Sequence, residues 1–148
     1  MMQGISYALA LATGVVLTVQ LGANAAAGRS LAGRAELAAF LNFATGIVAL
    51  TAFLLLARIE WPTRQALAGM PWWAWCGGLL GVFYVVTATL VGPRLGAAVF
   101  LALVVLGQLV SSVLVDHYGW LGFAPHPISF SRIAGACLLL VGVVLITR

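Results

Sequence analysis

Gly107-Gln108-Leu109-Val110-Ser111-Ser112-Val113-Leu114-Val115-Asp116-His117-Tyr118-Gly119 runs from the middle of a long apolar segment into a polar turn. On a helix, Gln108, Ser112 and Asp116 are spaced by four and stack on one face, with Ser111 beside them. Leu109, Val110, Val113, Leu114 and Val115 fill the positions between. A polar stripe on an otherwise apolar helix must face protein or water, because lipid cannot satisfy its hydrogen bonds. The stripe is therefore read as the interior face of a membrane-spanning helix.

Composition supports a lipid setting. The 148 residues are 64% hydrophobic and 7% charged, with a mean hydropathy of +1.15, whereas a soluble domain carries about 25% charged residues. The net charge is +4, from seven arginines against three acids. Arg29, Arg34, Arg58, Arg64, Arg94, Arg132 and Arg148 fall in the breaks between apolar runs or at the end. That placement suits interfacial anchoring and topology control. It does not make the single basic face that nucleic acid requires. Cys76 and Cys137 both lie inside apolar runs and read as buried, unpaired thiols.

Five apolar runs predict an all-α polytopic membrane protein. The spans fall at about residues 4–23, 35–57, 72–91, 97–115 and 130–147, in a single transmembrane domain over 1–148. Ala23-Asn24-Ala25 resembles a leader cleavage site. No Lys or Arg precedes the first run, however, and four more spans follow, so a span is expected there. Ser6, Thr13 and Gln20 recur by seven and Asn24 follows by four, which draws one polar line along the first helix. Such a line serves either helix–helix hydrogen bonding or the lining of a cavity.

Gly28, Arg29, Gly33, Arg34 and Glu36 read as a polar connection. In the second run Asn42 and Thr45 share a face beside Gly46. Asn42 lies about 6 Å from mid-span at 1.5 Å per residue, so it needs a partner. The loop Arg58–Arg64, with Trp61, Trp72, Trp73 and Trp75, marks a headgroup zone. In the third run Ala74 with Gly78, and Gly77 with Gly81, are small-residue pairs spaced for close helix approach. Tyr84 and Thr87 continue that side, Tyr84 either packed or facing a solute. Gly92-Pro93-Arg94-Leu95-Gly96 reads as a tight break between two antiparallel helices. Gln108 falls mid-span in the fourth run, and Asp116 about 12 Å further along, at the rim. Asp116 to Pro127 reads as a loop, with Ser129 or Ser131 capping the last helix. Gly135 and Gly142, seven apart, suggest another packing face.

An odd number of spans puts the termini on opposite sides. With the N-terminus outside, four arginines are cytoplasmic (Arg29, Arg34, Arg94, Arg148); with it inside, three are (Arg58, Arg64, Arg132). So small a bias is what insertion in both orientations would leave, and equally what a short, arginine-poor chain would show. Dual topology is expected, with an antiparallel (inverted) homodimer or pairing with an oppositely oriented homologue. Two inverted copies are a common basis of alternating access around a midplane site.

Several motifs resemble one family in order along the chain. They are Val19-Gln20-Leu21-Gly22-Ala23-Asn24, Pro71-Trp72-Trp73-Ala74-Trp75 leading into Gly77-Gly78-Leu79-Leu80-Gly81, Pro93-Arg94-Leu95-Gly96, Gly107-Gln108 and Asp116-His117-Tyr118-Gly119. With these the chain resembles the YdcZ-type small integral membrane proteins of the drug/metabolite transporter superfamily. The resemblance spans essentially the whole chain. It implies five helices, a bacterial inner membrane, partners of opposite orientation and a transporter by kinship; it implies no substrate. The four-helix multidrug exporters of that superfamily carry a membrane-embedded glutamate in helix one. Here that helix has Gln20 and no carboxylate, so proton coupling through a first-helix acid is not carried over.

Glu36, Glu60 and Asp116 all lie at span ends, where the cost of a mid-membrane charge is avoided. If transport is proton-coupled, Asp116 with His117 is the candidate coupling or gating pair, because His titrates near neutral pH. The structural alternative pairs Asp116 with Arg58, Arg64 or Arg132. Asp116, His117 and His126 lack metal-ligand spacing, and neither metal nor cofactor is expected. Gln20, Asn24, Asn42, Tyr84, Gln108, Ser111 and Ser112 are the candidate solute-binding residues. An amide- and hydroxyl-lined interior suits a neutral or zwitterionic polar solute, or an anion helped by arginines at the mouth, better than a lipophilic cation. The expected function is secondary transport or export of a small polar solute by alternating access in an inverted dimer. A passive dual-topology channel and a structural or accessory subunit are the alternatives. No nucleophile–base pair is visible, so an enzyme is not expected.

Overall fold

Helix lets an aliphatic run satisfy its own backbone hydrogen bonds, which lipid cannot do for it. The computed structural model describes residues 2–148, and among them every regular element is helical. These are α1 (Met2–Ser30), α2 (Ala35–Leu56), a short α3 (Arg64–Ala68), α4 (Cys76–Leu95), α5 (Ala97–Tyr118) and α6 (Phe130–Ile146), with 3-10 turns at Trp72–Trp75 and Trp120–Gly122. α1, α2, α5 and the stretch Trp72–Leu95 are each long and apolar enough to cross a membrane. α6 has 17 residues, about 25 Å at 1.5 Å per residue, which is short against a hydrocarbon core of about 30 Å.

The chain divides into two compact units, Met1–Arg94 and Leu95–Arg148. In the first, α1 and α2 pack together, and the buried residues gather where α1 ends and α2 begins. Leu21, Asn24, Ala35, Ala38 and Ala39 are buried there, as are Val85, Ala88 and Thr89 on α4. Small residues permit the approach. A Cβ on Gly28 would lie 2.7 Å from Thr89 Cγ2, and one on Gly92 2.7 Å from Leu21 Cδ1. In the second unit α5 packs on α6, with Phe100 and Val143 buried.

Helix ends differ from the sequence reading in four places. α1 runs on through Gly28 and Arg29 to Ser30, because Ala23, Ala25, Ala26 and Ala27 favour helix. It stops where Ala32 (φ 56) and Gly33 (φ 80) turn left-handed. There the Gly33 N–H donates to the Gly28 carbonyl at 2.9 Å, closing the helix end. α4 continues through Pro93, and the break before α5 falls on Gly96 (φ 81) alone. α5 includes Asp116 and His117 and ends at Gly119 (φ 64), whose N–H donates to Val115 O. Trp72–Trp75 forms a 3-10 turn ahead of α4. Ser129 is the cap of α6, its Oγ accepting from the Arg132 N–H at 3.4 Å.

Packing faces differ too. Gly77, Gly78, Gly135 and Gly142 would have nothing within 4 Å of an added Cβ. The close approach in the first unit is made instead by Gly81, 3.3 Å from Phe43 Cζ, and by Gly28 and Gly92. Cys76 is half-buried and Cys137 is exposed on α6, both as free thiols, so the expected burial of Cys137 does not hold.

Candidate functional site

Two polar grooves lie on the helices, one in each unit. The first is about 310 Å³, between α1 and α2, and is lined by Gln20, Asn24, Asn42 and Thr45 among small and apolar residues. Its centre is an amide pair: Asn42 Nδ2 donates to Asn24 Oδ1 at 2.5 Å. Asn24 is 4% exposed, so this bond removes the cost of an unsatisfied buried carboxamide. Thr45 donates its hydroxyl to its own helix, to Leu41 O at 3.0 Å and Asn42 O at 2.9 Å. The polar line along α1 is thus divided. Thr13 is exposed and bonds to Leu9 O at 2.9 Å within its helix. Only Gln20 and Asn24 reach the groove.

The second groove is about 390 Å³, along the polar stripe of α5. Gln108, Ser111, Ser112, Val115, Asp116, Leu121 and Phe123 line it. Gln108 is exposed in the middle of α5 and has no hydrogen-bond partner among the described residues. Ser111 Oγ donates to Gly107 O at 2.7 Å, and Ser112 Oγ to Leu109 O at 2.9 Å. Tyr84 lies half-buried on α4 and lines neither groove.

At the rim of the second groove a clasp joins the end of α5 to the start of α6. Arg132 Nη1 sits 3.1 Å from Asp116 Oδ2 and donates to His126 O at 3.3 Å. The His126 N–H donates to Asp116 O at 2.7 Å, and the Ile128 N–H to His117 Nδ1 at 3.3 Å. His117 packs edge-on against Tyr118, which stacks on Trp120 with centroids 4.8 Å apart. Of the three arginines considered for Asp116, Arg132 is the one it pairs with. Leu121 and Phe123 were not anticipated as lining residues. They reach the groove through a turn of positive φ at Gly119, Leu121 (57) and Gly122 (83), a feature with no periodic signature. Among the described residues no three His, Cys, Asp or Glu side chains gather as a metal site.

A family model described as "Putative inner membrane exporter, YdcZ" matches residues 5–145. The "Inner membrane protein YdcZ" of Escherichia coli (strain K12) is 31% identical over 112 residues, covering 76% of this chain and 74% of that protein. No solved structure matches. These likenesses and the apolar helices place the chain in the inner membrane as a multi-pass protein.

Proposed function

The chain belongs to the YdcZ family of inner-membrane exporters, and on that footing we propose that it exports a small polar solute by alternating access in an inverted dimer. The observation that carries this reading is Gln108. A carboxamide stands exposed in the middle of a membrane-length helix, partnerless among the described residues, in a groove with two hydroxyls and a carboxylate. Hydrocarbon offers it no hydrogen bond, so water, a solute or a second copy must supply one. Gln20, in the groove of the first unit, poses the same demand.

Further support comes from the near-balance of arginines and from the long apolar helices, four of membrane length and the shorter α6; if α6 also crosses, the odd count makes two oppositely inserted copies an inverted pair. In this reading Gln20, Asn24, Asn42, Gln108, Ser111 and Ser112 contact the solute, and Tyr84 supports the first unit. Asp116 and His117 hold the rim and move when the clasp to Arg132 opens. The satisfied Asn24–Asn42 pair favours a second reading, in which the amides only join helices and the chain is an accessory subunit.

Solute-screened flux in proteoliposomes, with and without a pH gradient, separates them. Saturable flux that Gln108→Ala abolishes while the purified protein stays folded is the expected result. Fast uncoupled flux would instead indicate a channel, and absence of flux for every solute would leave the accessory reading.

A further inference from the structure

The second groove has a one-sided hydrogen-bond character, and from it we infer that this groove recognises the primary ammonium end of a small amine. The inference rests on the reading of the groove as a solute site. A serine hydroxyl has one proton. Ser111 gives its proton to Gly107 O at 2.7 Å and Ser112 to Leu109 O at 2.9 Å. Both oxygens therefore face the groove with lone pairs only. The ionised Asp116 carboxylate is acceptor-only as well. Arg132 takes its Oδ2 at 3.1 Å, and no described residue donates to Oδ1. Of the polar side chains lining the groove, only the Gln108 amide retains N–H donors.

The cations do not offset this. Arg132, His117 and His126 are not among the lining residues, and Arg132 Nη1 is engaged by Asp116 Oδ2 and the His126 carbonyl. His117 Nδ1 accepts from the Ile128 N–H, and His126 Nδ1 lies 2.8 Å from Ala124 O. An anion entering here would meet acceptors with one amide to hold it. A primary ammonium brings three N–H donors and a charge, and its bonds to acceptors are of the stronger, charge-assisted kind. Leu121 and Phe123 form the apolar side of the groove and suit a short hydrocarbon body attached to that head. The groove of the first unit differs, since Asn24 Nδ2 and Asn42 Oδ1 leave it both donors and an acceptor. A quaternary ammonium has the charge but no N–H, so the groove discriminates against it by hydrogen bonding alone.

The test is calorimetric titration of the full chain in lipid nanodiscs with four probes of one carbon skeleton: butylammonium, butyltrimethylammonium, 1-butanol and butanoate. Butylammonium is expected to bind saturably and about tenfold or more tighter than the other three, the size of one to two hydrogen bonds. The double variant Ser111→Ala/Ser112→Ala should weaken it by about tenfold. Alanine is well tolerated at these exposed helix positions, so folding is preserved. Asp116→Asn should weaken it further and serves as an independent check.

Butanoate or butyltrimethylammonium binding as tightly as butylammonium would overturn the inference. So would butylammonium binding that ignores both variants, or no binding of butylammonium at all. Flux measured in parallel keeps the two claims apart. Export of another solute with no amine binding sinks this inference and leaves export standing. Amine binding of the stated pattern without flux of any solute does the reverse.

Discussion

Asn24 and Asn42 allow the sharpest energetic prediction, because one partner is buried and the other is not. Asn24 is 4% exposed, and Asn42, half-buried beside an open groove, donates to it. Asn42→Ala strands the Asn24 oxygen inside the helix pair, at a cost of about 1–3 kcal/mol. Asn24→Ala loses the same bond and adds a cavity penalty, but the freed Asn42 amide opens to the groove. In the double variant no carboxamide is stranded, and the cavity penalty cancels from the cycle. The coupling energy should therefore fall at the upper end of membrane-embedded hydrogen bonds measured this way, about 1–1.7 kcal/mol. The assay is a double-mutant cycle by reversible detergent unfolding, read from the five tryptophans. Single effects that add to within about 0.3–0.5 kcal/mol would refute a direct bond between the two amides.

Gly28→Ala and Gly92→Ala place a Cβ 2.7 Å from Thr89 Cγ2 and Leu21 Cδ1 and should each cost about 1–3 kcal/mol in the same unfolding titration; Gly78→Ala, with open space around it, should be neutral or stabilise by up to about 1 kcal/mol. Asp116→Asn and Arg132→Gln remove a pair whose side chains are 29% and 33% exposed, so each should cost only about 0.2–1 kcal/mol while speeding amide exchange at Ile128; exchange unchanged in both variants would dissociate the pair from the clasp. Reporters fused to each terminus should give signal from both sides of the membrane, and signal from one side alone would rule out dual topology.

The all-helical membrane fold was legible because span length and hydropathy depend on composition over twenty residues, which single residues cannot disguise. The helix ends were less legible because they depend on which glycine takes positive φ. Gly28, Gly33, Gly92 and Gly96 look alike in sequence, yet only Gly33 and Gly96 turn left-handed. Gly28 and Gly92 stay helical and serve close approach instead. Gln20 and Asn24, spaced by four on α1, line one groove with Asn42 of α2, and the i, i+4 stripe of α5 lines the other. Tyr84 follows the small residues Gly77 and Gly81 at helical spacing, a packing signal, and the structure leaves it outside both grooves. Leu121 and Phe123 sit in an irregular turn, where no period exists to read.

The polar residues that share a helix face differ in where their hydrogen bonds go. A hydroxyl can return its proton to a carbonyl three or four residues back on its own helix, and Thr13, Thr18, Thr45, Thr89, Ser111 and Ser112 all do so. Such side chains tolerate lipid or protein alike and do not by themselves mark a site. A carboxamide carries two donors and a carbonyl and must look beyond its own turn. Asn24 and Asn42 find each other. Gln20 and Gln108, each lining a groove, have no partner among the described residues. Loss of an asparagine should therefore register chiefly in stability. Loss of either glutamine should leave stability within about 0.5 kcal/mol, as for other positions without a packing or pairing role, and register in flux. Gln108→Ala unfolding the protein while sparing flux would reverse that assignment and make the stripe of α5 a structural seam.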